Sequence, residues 1–472
     1  MNNENIIQKI WNLCHILRGD GISYHEYISE LTYLLFLKIA EENKTEELLP
    51  DHCRWGKLIG YKGDDLLTEY RDILTFLGGH ASVDIIRKIY AFPTTVFSHS
   101  ENLKAVIDGI AKIDWHSITQ DGMGDIYEGL LSKNSQDARS GAGQYFTPRA
   151  LVDTIVKLIC PKAGELIQDP AVGSGGFLIS ADKYIRDNNS LNVYNENPPK
   201  YEGVEIEKST YRICLMNVFL HQLSASIILG DALTDDSRLL SSADVVLANP
   251  PFGAKAGSAR QKRQDIIHFT SNKQLAFLQH IISTLKPGGR AAVVLPDNVL
   301  FEAGVGKTIR QELMAKCNLH TILRLPVGIF YSQGVKTNVL FFTKGKSGNA
   351  NTSNVWFYDM RTLPVRFGKR RPLSTEDFAA FEIAFGRDPK GNSERVDQGN
   401  EGRWRSFTRD EIRENDDSLD ISWLKAENAI EDQVFDTTEI AAAIFDHLRE
   451  AMSEIKDLTE DFEALESKGN DD

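Results

Sequence analysis

The chain has 472 residues, 42% of them hydrophobic and 25% charged, which suits roughly two to three soluble globular domains. No apolar run reaches membrane-spanning length, and Met1-Asn2-Asn3-Glu4 opens no signal peptide. Five dispersed cysteines without a Cys-x-x-Cys pair argue against a disulfide framework or structural zinc, so a cytoplasmic location is expected. The net charge of −14 discourages a polyanionic partner only until it is divided along the chain. Residues 372–472 hold 28 acidic and 11 basic side chains, whereas residues 1–371 hold 39 and 42. The acidity belongs to the tail, and the rest is free to present basic surface.

In chain order, the first region reads as helical. Ile6, Ile7, Ile10, Trp11, Leu13, Cys14 and Leu17 recur at helical spacing, as do Tyr27, Ile28, Leu31, Leu34 and Leu35. A helical domain over residues 1–140 is expected. From Gly141 to about Lys344, β-rich runs alternate with helical ones. The runs are Leu166–Gln168, Tyr201–Ile206, Ile227–Leu229, Val245–Ala248, Ala291–Leu295, Thr321–Leu325 and Asn338–Thr343. Helices are expected over Thr210–Leu223 and Phe277–Leu285, the second stopped by Lys286-Pro287-Gly288-Gly289. The alternation predicts an α/β domain over residues 141–371, its sheet mainly parallel and covered on both faces. Ligands of such sheets bind beyond the carboxyl ends of the strands.

Two loops are basic. Residues 253–270 carry Lys255, Arg260, Lys262 and Arg263 against one acid, Asp265; residues 361–371 carry Arg361, Arg366, Lys369, Arg370 and Arg371 against none. Both are candidates for phosphate contact, with a solvated charged face as the alternative. The acidic region, residues 372–472, ends in a heptad seam of Ala441, Ile444, Leu448, Ala451, Ile455, Leu458, Phe462 and Leu465. Its strict three-four spacing points to a helical partner rather than to packing on its own domain.

The chemistry gathers at predicted strand ends. Asp169-Pro170-Ala171-Val172-Gly173-Ser174-Gly175-Gly176-Phe177 follows the first strand and opens a helix, so a ligand can approach small residues and free amides. It is neither a dinucleotide fingerprint nor a P-loop. Glu205 ends the next strand, placed for ribose hydroxyls, and Asp231 ends the one after, within reach of an adenine amine. Asn249-Pro250-Pro251-Phe252 follows Val245–Ala248. Two prolines remove two amide donors. What is left is acceptors beside an aromatic ring, a site for a flat ligand carrying an amino group.

These residues resemble the amino-group DNA methyltransferases. Asp-Pro-x-x-Gly-Ser-Gly-Gly-Phe, Gly203-Val204-Glu205, Gly230-Asp231-Ala232-Leu233 and Asn-Pro-Pro-Phe occur in that family's order. Gly143-Gln144-Tyr145-Phe146-Thr147-Pro148-Arg149 looks like its additional cofactor motif. The order is that of the gamma class of adenine-N6 enzymes, and the chain most resembles the modification subunit of type I restriction–modification systems. Leu325-Pro326-Val327-Gly328-Ile329-Phe330 and Lys336–Phe342 extend the likeness; Val172, where the family usually carries Ala, departs from it.

The resemblance implies a Rossmann-like S-adenosylmethionine-dependent sheet with an N-terminal helical domain and a C-terminal helical tail. Gln144, Tyr145, Phe146, Thr147, Pro148 and Arg149, with the Ser174-Gly175-Gly176 turn, would enclose the methionine part of the cofactor; Asp169 and Gly173 would also bind it, Glu205 would hold its ribose and Asp231 its adenine. A target adenine would be flipped out of double-stranded DNA, stacked on Phe252, and its amine held by Asn249 Oδ1 and the Pro250 carbonyl beside Pro251. Neither a metal nor a covalent intermediate is required. The implied partners are a specificity subunit, met through the 441–465 helix, and a restriction/translocase subunit. The rival readings are a self-sufficient adenine methyltransferase, a protein or RNA N-methyltransferase, and a scaffold without turnover.

Overall fold

The structure is a computed structural model. It describes residues 3–14, 16, 24–115, 126–131, 133, 147–253, 263, 266–326, 329–330, 336–346, 351–363, 365, 367 and 371–424. The strands, in chain order, are β1 (Leu166–Asp169), β2 (Lys200–Glu205), β3 (Ala225–Leu229), β4 (Ala243–Ala248), β5 (Leu285–Pro296), β6 (Cys317–Arg324), β7 (Thr337–Lys344), β8 (Asn354–Asp359) and β9 (Trp404–Thr408). Two compact units emerge: Met1–Thr147 with Val172–Lys183 and Lys200–Gly230, and Pro148–Ala171 with Tyr184–Pro199 and the chain from Asp231 on.

The first unit is mainly helical, as the apolar periodicity predicts, with helices Asn3–Asn12, Tyr24–Glu42, Gly63–His80, Asp84–Ile89 and Ser100–Ala111. Helix Tyr24–Glu42 is buried on all sides from Tyr27 to Ala40, so its one internal acid, Glu30, must be satisfied. Tyr70 Oη donates to it at 2.5 Å, Thr95 Oγ1 at 3.0 Å and the Val96 amide at 2.9 Å. Burial still pushes the Glu30 carboxyl above its ordinary range. These helices grip helix Lys208–Leu220: Arg212 donates to the carbonyls of Ile89 (2.9 Å) and Ala91 (3.2 Å) and stacks 4.6 Å from the Tyr33 ring centroid. Helix Lys208–Leu220 directly follows β2, which pairs in parallel with β3.

In the second unit the strands run in the order β1-β4-β5-β7-β6-β8-β9. The β1/β4, β4/β5 and β6/β8 pairs are parallel, as expected; β7 lies antiparallel between β5 and β6, and β9 is antiparallel to β8. Val246 and Ala248 of β4 share one core with Leu275, Leu278 and Ile281 of helix Lys273–Thr284. Each large side chain so buried contributes about 1.5–3 kcal/mol.

Two sequence expectations shift. Pro287-Gly288-Gly289 does not separate helix from strand; it is a bulge inside β5, where Ala243 pairs with Leu285 but Val245 with Arg290. The sheet also continues past Thr343 into β8 and β9, drawing the start of the acidic region into the core through Ile412 and Leu419. The heptad helix at 441–465 lies outside the described residues. No described helix is long and apolar enough to cross a membrane.

Candidate active site

In the first unit, the glycine turn is built against the end of β2. Gly173 and Gly175 take φ of 54° and 86°, the left-handed region where a glycine avoids the Cβ clash. The Val172 amide donates to the Val204 carbonyl at 3.0 Å, the Gly175 amide to the Val172 carbonyl at 2.9 Å, and Asn217 Nδ2 to the Ser174 carbonyl at 2.9 Å. Val172 fits because position 203 is glycine: a Cβ there would lie 2.9 Å from the Val172 Cβ.

Glu205 closes this arrangement. Its Oε2 accepts from the Gly173 amide at 3.1 Å and its Oε1 from the Glu207 amide at 2.8 Å. Burial pushes its carboxyl up to about 7, while those two amides hold it down. At Gly176, an added Cβ would meet nothing within 4 Å among the described residues. In its ionised form this buried carboxylate, an acceptor beside an open glycine turn, fits the hydroxyls of a nucleoside. Next along the chain, Glu207 caps helix Lys208–Leu220 by accepting from the amides of Ser209 (3.0 Å) and Thr210 (2.6 Å), which fixes the direction in which β2 ends.

In the second unit, acids and the Asn-Pro-Pro-Phe turn stand at strand ends. Asp169 ends β1, and its Oδ1 accepts from the Ala171 amide at 3.0 Å. Asp231 is turned by its own chain: its amide donates to Asp236 Oδ2 at 3.0 Å and its Oδ1 accepts from the Leu233 amide at 2.9 Å. Asn249-Pro250-Pro251-Phe252 leaves the carboxyl end of β4, with Pro250 buried and Asn249, Pro251 and Phe252 half-buried. Gln274 Nε2 donates to the Pro251 carbonyl at 2.9 Å.

Of the upstream motif, Gln144, Tyr145 and Phe146 lie outside the described residues. Thr147 and Pro148 lead into helix Arg149–Ile159, where Arg149 pairs with Asp153 at 3.0 Å.

The basic loops are only partly what their charge suggests. Arg263 is buried, donating to the Ala232 carbonyl at 2.7 Å and lying 2.6 Å from His280 Nδ1. Arg361 is likewise turned inward: it pairs with Asp297 (Nη1 to Oδ2, 3.0 Å) and donates to Asn338 Oδ1 at 2.9 Å, while Asn338 Nδ2 donates to Asp297 Oδ1 at 2.8 Å. Each of these two arginines answers an acceptor of its own chain. Asn338 lies in the Lys336–Phe342 segment that resembles the family, whereas Gln274 and Asp297 carry no motif spacing that would have singled them out. The one signal was Asn272, a helix-capping residue placed just before Lys273.

Parallel β1, β4 and β5 with β7 reversed between β5 and β6 make the α/β fold of S-adenosylmethionine-dependent methyltransferases. The N-6 DNA Methylase family matches residues 118–433, and the HsdM N-terminal domain matches residues 6–49. The chain belongs to the N-6 DNA methylase family. It is 42% identical over 503 residues to the type I restriction enzyme EcoKI methylase subunit of Escherichia coli strain K12, covering 96% of this chain and 94% of that one. The StySPI methylase subunit of Salmonella potsdam is 42% identical over 512 residues, with 98% and 95% covered. The crystal structure of the EcoKI M protein matches at 38% identity and a TM-score of 0.55, covering 97% of this chain and 96% of that one. A structure described for complex assembly and conformational transition of the type I R-M system matches at 26% identity and a TM-score of 0.73, covering 98% and 99%.

Proposed function

We propose that the chain is the catalytic subunit of a type I restriction–modification assembly, methylating N6 of an adenine turned out of double-stranded DNA. The observation that carries this reading is the Asn-Pro-Pro-Phe turn at the carboxyl end of β4, which offers acceptors and a ring where the sheet's ligands bind. Asn249 Oδ1 and the Pro250 carbonyl accept the two amine hydrogens. The amine's lone pair is otherwise delocalised into the ring; two acceptors favour a pyramidal nitrogen and stabilise the positive charge that develops on it. Pro251 completes the rigid turn and Phe252 is the stacking surface.

S-adenosylmethionine, when bound, supplies the methyl group as an electrophilic sulfonium. Glu205 would hold its ribose hydroxyls and Asp231 its adenine amine. The Ser174-Gly175-Gly176 turn and Gln144 to Arg149 would enclose its methionine part, and Asp169 and Gly173 would also bind it. The proposed functional division is residues 1–140, 141–371 and 372–472.

A specificity subunit is the proposed partner of the 441–465 helix and chooses the adenine; a restriction/translocase subunit joins the same assembly in the cytoplasm. The test is single-molecule sequencing of duplex DNA treated with this chain, with and without the specificity subunit. Adenine methylation at one sequence only when both are present supports the reading. Methylation by the chain alone removes the need for the partner, and methylation of another base removes the reading.

A further inference from the structure

Pro250 and Pro251 have no N–H, so at these two positions the backbone of the turn can be fastened only through its carbonyls. Among the described residues, helix Lys273–Thr284 reaches one carbonyl of the turn and one just after it. The Pro251 carbonyl accepts from Gln274 Nε2 at 2.9 Å, and the Gly253 carbonyl from the Lys273 amide at 3.3 Å. Both donors sit in the first turn of helix Lys273–Thr284. Gln274 is 2% exposed. Its amide orientation follows from chemistry, since a carbonyl can only accept and Nε2 is the donor.

The helix start is itself anchored. Asn272 Oδ1 accepts from the amides of Gln274 (3.0 Å) and Leu275 (3.2 Å), and Asn272 Nδ2 donates to Glu302 Oε2 at 2.7 Å. Leu275 and Leu278 then pack in one core with Val246 and Ala248 of β4. The donor to Pro251 is therefore held by the same packing that holds the strand leading into the turn.

We propose that Gln274 is a positioning residue for methyl transfer, setting the Phe252 ring against the Asn249 and Pro250 acceptors. The peptide plane that contains the Pro251 carbonyl also contains the nitrogen and Cα of Phe252. Proline rings already fix φ at both Pro250 and Pro251. A bond to the Pro251 carbonyl removes the freedom left at that residue's ψ and so fixes where the Phe252 side chain departs. It also occupies the one carbonyl of the pair that the amine should not reach. The inference rests on the reading of Asn249 and Pro250 as the amine's acceptors.

The test uses the full chain assembled with its specificity subunit and a duplex carrying its target, with S-adenosylmethionine saturating. In Gln274→Leu, single-turnover methylation is expected to fall roughly 10- to 100-fold, with KM for the cofactor and the thermal midpoint unchanged. With 2-aminopurine at the target position, emission in the Gln274→Leu complex should exceed that of the wild type, because the extruded base loses its stacking partner. Gln274→Lys restores a donor to Pro251 and should recover most of the rate; Gln274→Glu, which brings a carboxylate to a carbonyl, should not. A wild-type rate in Gln274→Leu, a rate loss matched by lost cofactor affinity or stability, or equal rates in the Lys and Glu variants would overturn the inference. Asn249→Ala, run in parallel, separates the two readings. Active Asn249→Ala removes the acceptor reading itself, whereas inactive Asn249→Ala beside a fully active Gln274→Leu removes only the role of Gln274.

Discussion

Glu205 accepts the Gly173 amide at 3.1 Å, joining the end of one strand to the turn that follows another while burial pushes its carboxyl up to about 7. Ribose hydroxyls donate best to the ionised form. Cofactor affinity should therefore weaken as pH falls below about 7, approaching tenfold per unit. The stability sign is opposite. A raised folded pKa means this group's contribution is full below its ordinary value of 4.5 and is lost as pH rises through about 7. Glu205→Gln should weaken S-adenosylmethionine about tenfold near pH 8 and flatten the pH dependence, as read by calorimetric titration between about pH 6 and 8. An unchanged profile in the variant would show that another group titrates.

Asn249→Ala removes one of the two proposed acceptors and touches nothing assigned to the cofactor. Methyl transfer should drop by at least about 100-fold, with the cofactor dissociation constant within twofold of wild type. Radiolabelled methyl incorporation and equilibrium binding on the same preparation separate these effects. Lost cofactor binding would assign Asn249 to a different part of the site.

Arg361 answers Asp297 and Asn338 where β5 ends and β7 begins. Arg361→Met would strand a largely buried carboxylate and should cost about 2 kcal/mol, less than the ~3–5 kcal/mol of a fully buried pair, because both side chains keep some solvent contact. Adding Asp297→Asn should recover part of that loss by removing the charge. Denaturant midpoints of the three proteins decide it; an undisturbed midpoint in Arg361→Met would return this arginine to the surface role its charge run suggests.

The acidic tail carries the proposed partner seam. Deletion after Thr437 should release the specificity subunit on size-exclusion chromatography while the remaining chain keeps its thermal midpoint and its cofactor affinity. Retention of the partner would place the interface elsewhere.

Strand ends were the most legible part of the chain. Val245–Ala248 reads as a strand because every residue is apolar, and Glu205 and Asp231 stand out as acids at the ends of predicted strands. Side-chain reach across sequence was not legible. Gln274 looks like an ordinary first-turn residue, and nothing in its spacing shows that its amide returns to Pro251. Arg263 and Arg361 look like surface charge, since their acceptors, the Ala232 carbonyl and Asp297, are far away in the chain. Pro287-Gly288-Gly289 reads as a stop. It is instead absorbed as a bulge, after which Arg290 is locked by the carbonyls of Ile159 and Cys160, each at 2.6 Å. β8 and β9 were hidden by the long polar stretch between them and by the acidity around β9.

Those last two strands decide where the catalytic module can be cut for transplantation. A graft ending at Lys344 would leave the β6 edge unpaired and uncover the core positions filled by Val355, Phe357, Ile412 and Leu419; the Leu419 amide also reaches the Leu300 carbonyl at 2.8 Å. An engineer joining this enzyme to a foreign DNA-reading module should carry the chain through Trp423, which packs against the same core, and place the seam of the fusion beyond it.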